Sequence, residues 1–378
     1  MAETFKDYSH IEIKSQEPAA DESLQEQKIR FFGSRSRGKE NTWVISFFVV
    51  LHVVAFAATM FINNCSTNSH GDCALRTLGR LSFQPLKENP FLGPSSSTMY
   101  EMGALRRTFV IQQHQIWRLV TCLWLHAGFI HLIINLSCVI LIGIRLEQMF
   151  GPFRIGIIYM LSAFLGGLVS ALFVQNGPAI GSSGALFGLL GAMLSGLIMN
   201  WKIYIDKFAV LLSLFLVATI NFSLGLLPYV DNFSNIGGFQ AGFLLGFVLL
   251  FNPQLRQMAQ NKKGLFEYDV KNSVKLKHKL DKPAIRCISL VLFVLIFTGC
   301  LVAVLHGVNA NKYCSWCHYV NCVPFKGWIC NEEAMQCEVL VNGGRLTLTC
   351  ESNGNFHIYP FTNISQARIE DLCSLICS

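Results

Sequence analysis

The run DNFSNIGGFQAGFLLG, residues 231–246, decides how this chain is read. Its glycines at 238, 242 and 246 recur at every fourth position, so on a helix they form one smooth ridge along which another backbone can lie. A small polar cluster ending in Asn235 opens the run. A glycine-ridged apolar helix belongs inside a bundle, and a carboxamide at its mouth belongs to whatever the bundle holds there.

The rest of the chain supplies the bundle. Of its 378 residues, 52% are hydrophobic and 14% charged, and the mean hydropathy is positive. That balance lies outside the averages of soluble globular domains and reads as an all-α polytopic membrane protein. A helix needs about 20 apolar residues to cross ~30 Å of hydrocarbon. Seven runs approach or meet that length: 43–62, 119–142, 155–174, 183–199, 208–227, 235–251 and 287–305. The fourth and sixth are short, as expected of helices enclosed by others and bordering water.

Charge orients the spans. Residues 1–42 are polar with mixed charge and show no cleavable leader, so the first span is expected to act as the insertion signal. Arg30, Arg35, Arg37 and Lys39 hold that segment in the cytosol. Lys and Arg also dominate residues 252–286, a basic cytosolic linker between the six-helix core at 43–251 and the seventh span. That linker reads as an anchor near anionic lipid, and no nucleic-acid partner is expected. Seven crossings place residues 306–378 on the lumenal or extracellular side.

Cysteine usage tests that orientation independently. Cys314, Cys317, Cys322, Cys330, Cys337, Cys350, Cys373 and Cys377 crowd the tail, as in small domains stapled by disulfides in an oxidising compartment. Cys314-Ser-Trp-Cys317 also has the spacing of half a zinc site, but a second pair of that kind is missing. The pairing among the eight is not fixed by spacing. Cys65 and Cys73 fall on the same side and form a candidate further bridge, and Asn363-Ile-Ser365 is a glycosylation acceptor pattern. No cofactor and no metal is expected.

Polar side chains at membrane depth are costly and mark function. In the second span His131 and Asn135 stand four residues apart, on one helix face, where both donate toward one point or brace neighbouring helices. The fourth opens with Gly181-Ser182-Ser183-Gly184, a hydroxyl at a helix N-terminus among small residues. Such a serine is often only a cap, yet the free N–H groups of a first turn also suit a developing oxyanion. Gly184 and Gly188 offer the surface that Gly238 and Gly242 need, which brings Ser183 near Asn235. A serine nucleophile requires a base at that point. Asn235 has no lone pair that titrates near neutral pH, so it can orient a hydroxyl but not deprotonate it.

In combination, NPFLGPSSSTMYEMGAL, IWRLVTCLWLHAGFIHLIINL, RLEQMFG, GSSGALFGLLGA and DNFSNIGGFQAGFLLG resemble the rhomboid family of intramembrane serine proteases. The six-plus-one helix count and the cysteine-rich tail with CHYVNCVPF resemble its plant secretory-pathway members. The resemblance implies a rhomboid six-helix bundle with a C-terminal seventh helix and a small disulfide-rich tail. It implies Ser183 as nucleophile, with His131, Asn135 and Gly181 lining the oxyanion and substrate site. His126 then matches a structural histidine, Trp117, Arg118 and Glu147 match residues bracing the first loop, and Gly184, Gly188, Gly238 and Gly242 match packing glycines. The family has Ala-His where this chain has Ser234-Asn235.

Two functions follow as expectations. One is an inactive rhomboid of the Golgi, endoplasmic reticulum or plasma membrane that binds transmembrane helices of client proteins in the bilayer. The other is an active protease that cleaves single-span proteins with Ser183. A transporter is poorly motivated, because no inverted repeat or charged midplane pair is visible.

Overall fold

The computed structural model describes residues 31, 42–65, 73–86, 88–173, 178–201, 204–227, 229–250, 283–314, 316–321, 337–342, 344–351, 354–360, 369, 372, 373, 376 and 377. Expectations for the remaining N-terminal segment, nearly all of the basic linker, Cys322, Cys330 and the Asn363 acceptor lie outside the described residues. Among those described, seven long helices run in alternating directions: α1 Trp43–Asn63, α2 Phe129–Phe150, α3 Pro152–Phe173, α4 Ser182–Met199, α5 Lys207–Leu224, α6 Asn232–Leu249 and α7 Pro283–Leu305. The starts of α2, α4 and α6 therefore share one end of the bundle with the ends of α1, α3, α5 and α7.

Six of these helices are long and apolar enough to cross a membrane, and α6 is not among them. It is as long as α4, at 18 residues. Asn232, Ser234, Asn235 and Gln240, with four glycines, replace the aliphatic side chains that a lipid-facing helix would carry. Its glycine-bearing face is buried against α4, α3 and α7, while Ile236 and Gln240 are exposed. The sixth expected span is thus present as a helix, though not among the six candidate membrane spans. Burial separates the others too, with 83% of the apolar stretch of α4 inside the protein against 11% for α5.

The second expected span begins later than its hydropathy implies. Residues Arg118–Thr121 and Cys122–Trp124 form two short turns, and α2 starts only at Phe129. The loop from α1 captures the intervening backbone. Asn89 Nδ2 donates to the Ala127 carbonyl at 2.8 Å, while the N–H groups of Phe129 and Ile130 bond the carbonyls of Leu92 and Phe91. Those groups are unavailable to a helix running through from 119. The same loop carries a short helix, Ser96–Glu101, capped by the Ser95 side chain on Thr98 N–H.

Beyond α7 lie a three-stranded antiparallel sheet and its disulfides. Strands β1 Cys337–Asn342, β2 Arg345–Cys350 and β3 Phe356–Pro360 pair in sequence order, with Gly344 at φ 78° between the first two. Leu346 and Leu348 pack on Ile369 and Leu372, and Cys337–Cys373 and Cys350–Cys377 tie the sheet to that covering segment. A sheet this small buries little apolar surface, so the bridges supply stability its core does not. Cys65 pairs with Cys73, and Cys314 pairs with Cys317, which excludes zinc at the latter pair in this state.

Candidate active site at the mouth of α4 and α6

Two chain segments enter the bundle side by side. Ile180 and Val230 form a parallel bridge just before α4 and α6, and Ala179 pairs with Leu105 on the other flank. The Gly181 N–H bonds the Cys122 carbonyl at 3.0 Å, fixing where α4 begins. No side chain caps that helix start. Ser183 stands in this uncapped first turn, although the Gly184 N–H bonds the Gly181 carbonyl at 3.1 Å.

The helices then touch backbone to backbone. A methyl group on Gly238 would overlap the Gly184 carbonyl, and one on Gly242 would overlap that of Gly188. Such contact leaves room only for glycine at both levels. Ser234 faces this seam, since its Oγ lies 2.7 Å from where a Gly184 Cβ would stand. The next residue, Asn235, is fully buried, and its Nδ2 donates to Asn232 Oδ1 at 2.9 Å. The Asn235 Oδ1 and Ser183 Oγ atoms are buried, with no hydrogen-bond partner among the described residues.

The start of α2 carries His131 and Asn135, both buried, with His126 just before the helix. Asn135 Nδ2 donates to His126 Nε2 at 3.1 Å, so the His126 ring carries its hydrogen on Nδ1. The Ala127 N–H donates to His131 Nδ1 at 3.4 Å, which leaves His131 with its hydrogen on Nε2. His52 of α1, edge-on to His126 at 5.0 Å, is committed too. Its Nε2 meets the Tyr159 hydroxyl at 2.7 Å and its Nδ1 faces the Trp124 carbonyl at 3.4 Å. A carbonyl only accepts, so His52 donates from Nδ1 and accepts on Nε2.

The bracing residues divide between the two ends of the bundle. Arg118 is buried and donates to the carbonyls of Tyr100 and Ala104 at 2.6 and 2.9 Å, with its guanidinium 4.5 Å from the Phe109 ring centre. It holds the first loop, and half-exposed Trp117 lies against it at 4.7 Å. Glu147 does something else. Its carboxylate accepts from the Val44 and Ile45 N–H groups at 2.9 and 3.0 Å, capping the start of α1. Glu147 lies sixteen residues along α2 from His131, about 24 Å at helical rise. The expectation that it braces the first loop is therefore corrected.

A family profile for the Rhomboid domain matches residues 113–252, which hold α2 to α6 with Ser183 and Asn235. RHOMBOID-like protein 1 of Arabidopsis thaliana is 49% identical over 337 residues, covering 89% of this chain and 85% of that protein. The chain belongs to the rhomboid family. That is a family of intramembrane serine proteases, and its relatives' names differ on activity and compartment. Inactive RHOMBOID-like protein 8 of the same plant is 53% identical over 314 residues, 82% of this chain and 90% of that protein. RHOMBOID-like protein 6, mitochondrial, is 45% identical over 303 residues, 79% and 97% respectively.

Sequence reasoning about this rhomboid missed two residues that orient Asn235. Asp231 caps α6 by accepting from Phe233 N–H at 2.9 Å, and Asn232 accepts the Asn235 amide hydrogen. The first was legible, because an aspartate immediately before an apolar helix is a cap signal. The second was not, since an asparagine's partners depend on which chains surround it.

Proposed function

We propose that this rhomboid is a non-cleaving, client-binding membrane protein of the secretory pathway. One feature supports the reading above others: among the described residues, each of the three buried histidines already has its acceptor nitrogen in a hydrogen bond. A neutral imidazole has one lone pair for a proton. That of His126 is used by Asn135, that of His131 by Ala127 and that of His52 by Tyr159. Asn235 supplies an amide where the family has its base. Loss of the base from a serine site leaves a deficit on the order of 10⁶ in turnover, retained donors notwithstanding.

What remains is a helix-packing framework suited to holding a transmembrane helix. The Asn235 carbonyl and the α2 donor face then act as hydrogen-bonding groups for a client backbone. The Cys65–Cys73 bridge and the disulfide-bearing tail follow helices that finish at the site end, which supports placing that end in an oxidising lumen. The competing reading, an active protease with Ser183 as nucleophile, draws on the intact serine and donor face. Fluorophosphonate labelling and cleavage of a single-span substrate by wild type, Ser183→Ala and Asn235→His separate the two. The proposal expects neither reaction in wild type and fails if wild type cleaves in a Ser183-dependent manner.

A further inference from the structure

The end of the chain returns to the site. After α7 it makes two short turns, Ala310–Tyr313 and Cys317–Val320, joined by the Cys314–Cys317 disulfide. Before the staple, Asn311 Nδ2 donates to the carbonyl of Phe173 at the end of α3. After it, Asn321 grips the start of α6 in two directions. Its Nδ2 donates to Asp231 Oδ1 at 2.7 Å and its Oδ1 accepts the Asn232 N–H at 2.9 Å. Beside these anchors the Phe173 and Phe233 rings stack 4.2 Å apart, within 2° of parallel.

Asn232 transmits this grip inward. Both hydrogens of its Nδ2 are committed, one to the Phe222 carbonyl of α5 at 3.1 Å and one to the Val320 carbonyl at 2.9 Å. With its amide nitrogen fixed on that side, its Oδ1 must face the opposite way, where it accepts the Asn235 hydrogen at 2.9 Å. An unbroken series of hydrogen bonds thus runs from the tail to the residue in the base position.

We infer that residues 309–321 form a built-in strap that sets the orientation of the Asn235 carboxamide. Asn321 is its positioning residue, and the Cys314–Cys317 bridge holds its two anchors together. A segment that served only to tether α7 would leave α6 indifferent to Asn321. The strap does not depend on whether the site cleaves or merely binds, because its readout is the α6 opening itself.

The test uses the full chain in lipid nanodiscs, followed by hydrogen exchange and by the side-chain nitrogen–proton signals of Asn235, assigned through Asn235→Ala. Asn321→Ala is expected to shift those signals and to raise exchange at 232–238 on the order of tenfold, the size of one lost buried hydrogen bond. Exchange in α2 and in the middle of α4 stays as in wild type. Joint replacement Cys314→Ser and Cys317→Ser produces the same pattern more weakly. Unchanged signals and exchange in Asn321→Ala overturn the strap. Should that variant not fold, the Cys314→Ser and Cys317→Ser chain decides alone: displaced Asn235 signals support the strap and unchanged ones overturn it.

Discussion

The start of α2 and the start of α6 lie at the same end of the bundle with opposite chemical character. On α2, His131, and just before it His126, have their acceptor nitrogens occupied and carry N–H groups, so that side is built to donate. On α6, Asn235 gives a hydrogen to Asn232 and presents a carbonyl oxygen, which accepts hydrogen bonds but does not take a proton. Both regions are buried and ordered by neighbouring backbone. Packing therefore does not depend on that side chain: the glycine ridge joins α6 to α4 whatever stands at 235, and on the proposed reading the acid–base chemistry turns on that residue alone.

The largest expected effect sharpens the donor side. In an Asn235→His background, His131→Ala should slow fluorophosphonate labelling of Ser183 about 10²–10³-fold, the usual loss for one oxyanion donor. An unchanged rate would remove α2 from the oxyanion side. The seam comes next: Gly242→Leu drives a side chain into the Gly188 carbonyl and should destabilise the protein by about 3 kcal/mol in a detergent melt. A wild-type midpoint there would mean that α4 and α6 are not in backbone contact.

Smaller effects probe the far end. Glu147→Ala strips the charged cap from Val44 and Ile45 and should cost about 1–2 kcal/mol, with faster amide exchange at the start of α1 only. Exchange rising around Tyr100 and Ala104 instead would return Glu147 to the first loop. Ser183→Ala should change co-purification of a single-span client by no more than about 0.5 kcal/mol. A lost client would make the hydroxyl indispensable to binding.

Hydropathy made the spans readable, and the four-residue glycine spacing made the α4–α6 seam readable, because both are local patterns with a fixed geometric meaning. Their failures share a cause. Residues 119–124 are apolar enough for α2, yet the loop at 89–93 takes the hydrogen bonds a continuous helix would need. Glu147 sits in a motif associated with loop bracing, but its neighbour is decided by the antiparallel course of α1. The reach of Asn321 to Asp231 spans ninety residues and leaves no periodic trace. Cysteine density announced disulfides without fixing partners, and Cys337–Cys373 and Cys350–Cys377 emerge only once the sheet is formed.

The most direct measurement is the second-order rate of fluorophosphonate labelling at Ser183 in purified wild type and in Asn235→His, side by side in nanodiscs. The account expects no Ser183-dependent labelling in wild type and clear labelling once an imidazole stands at 235. Wild-type labelling that disappears with Ser183→Ala would show that a proton acceptor is already in reach of the serine, and the claim that this site has no base would be wrong.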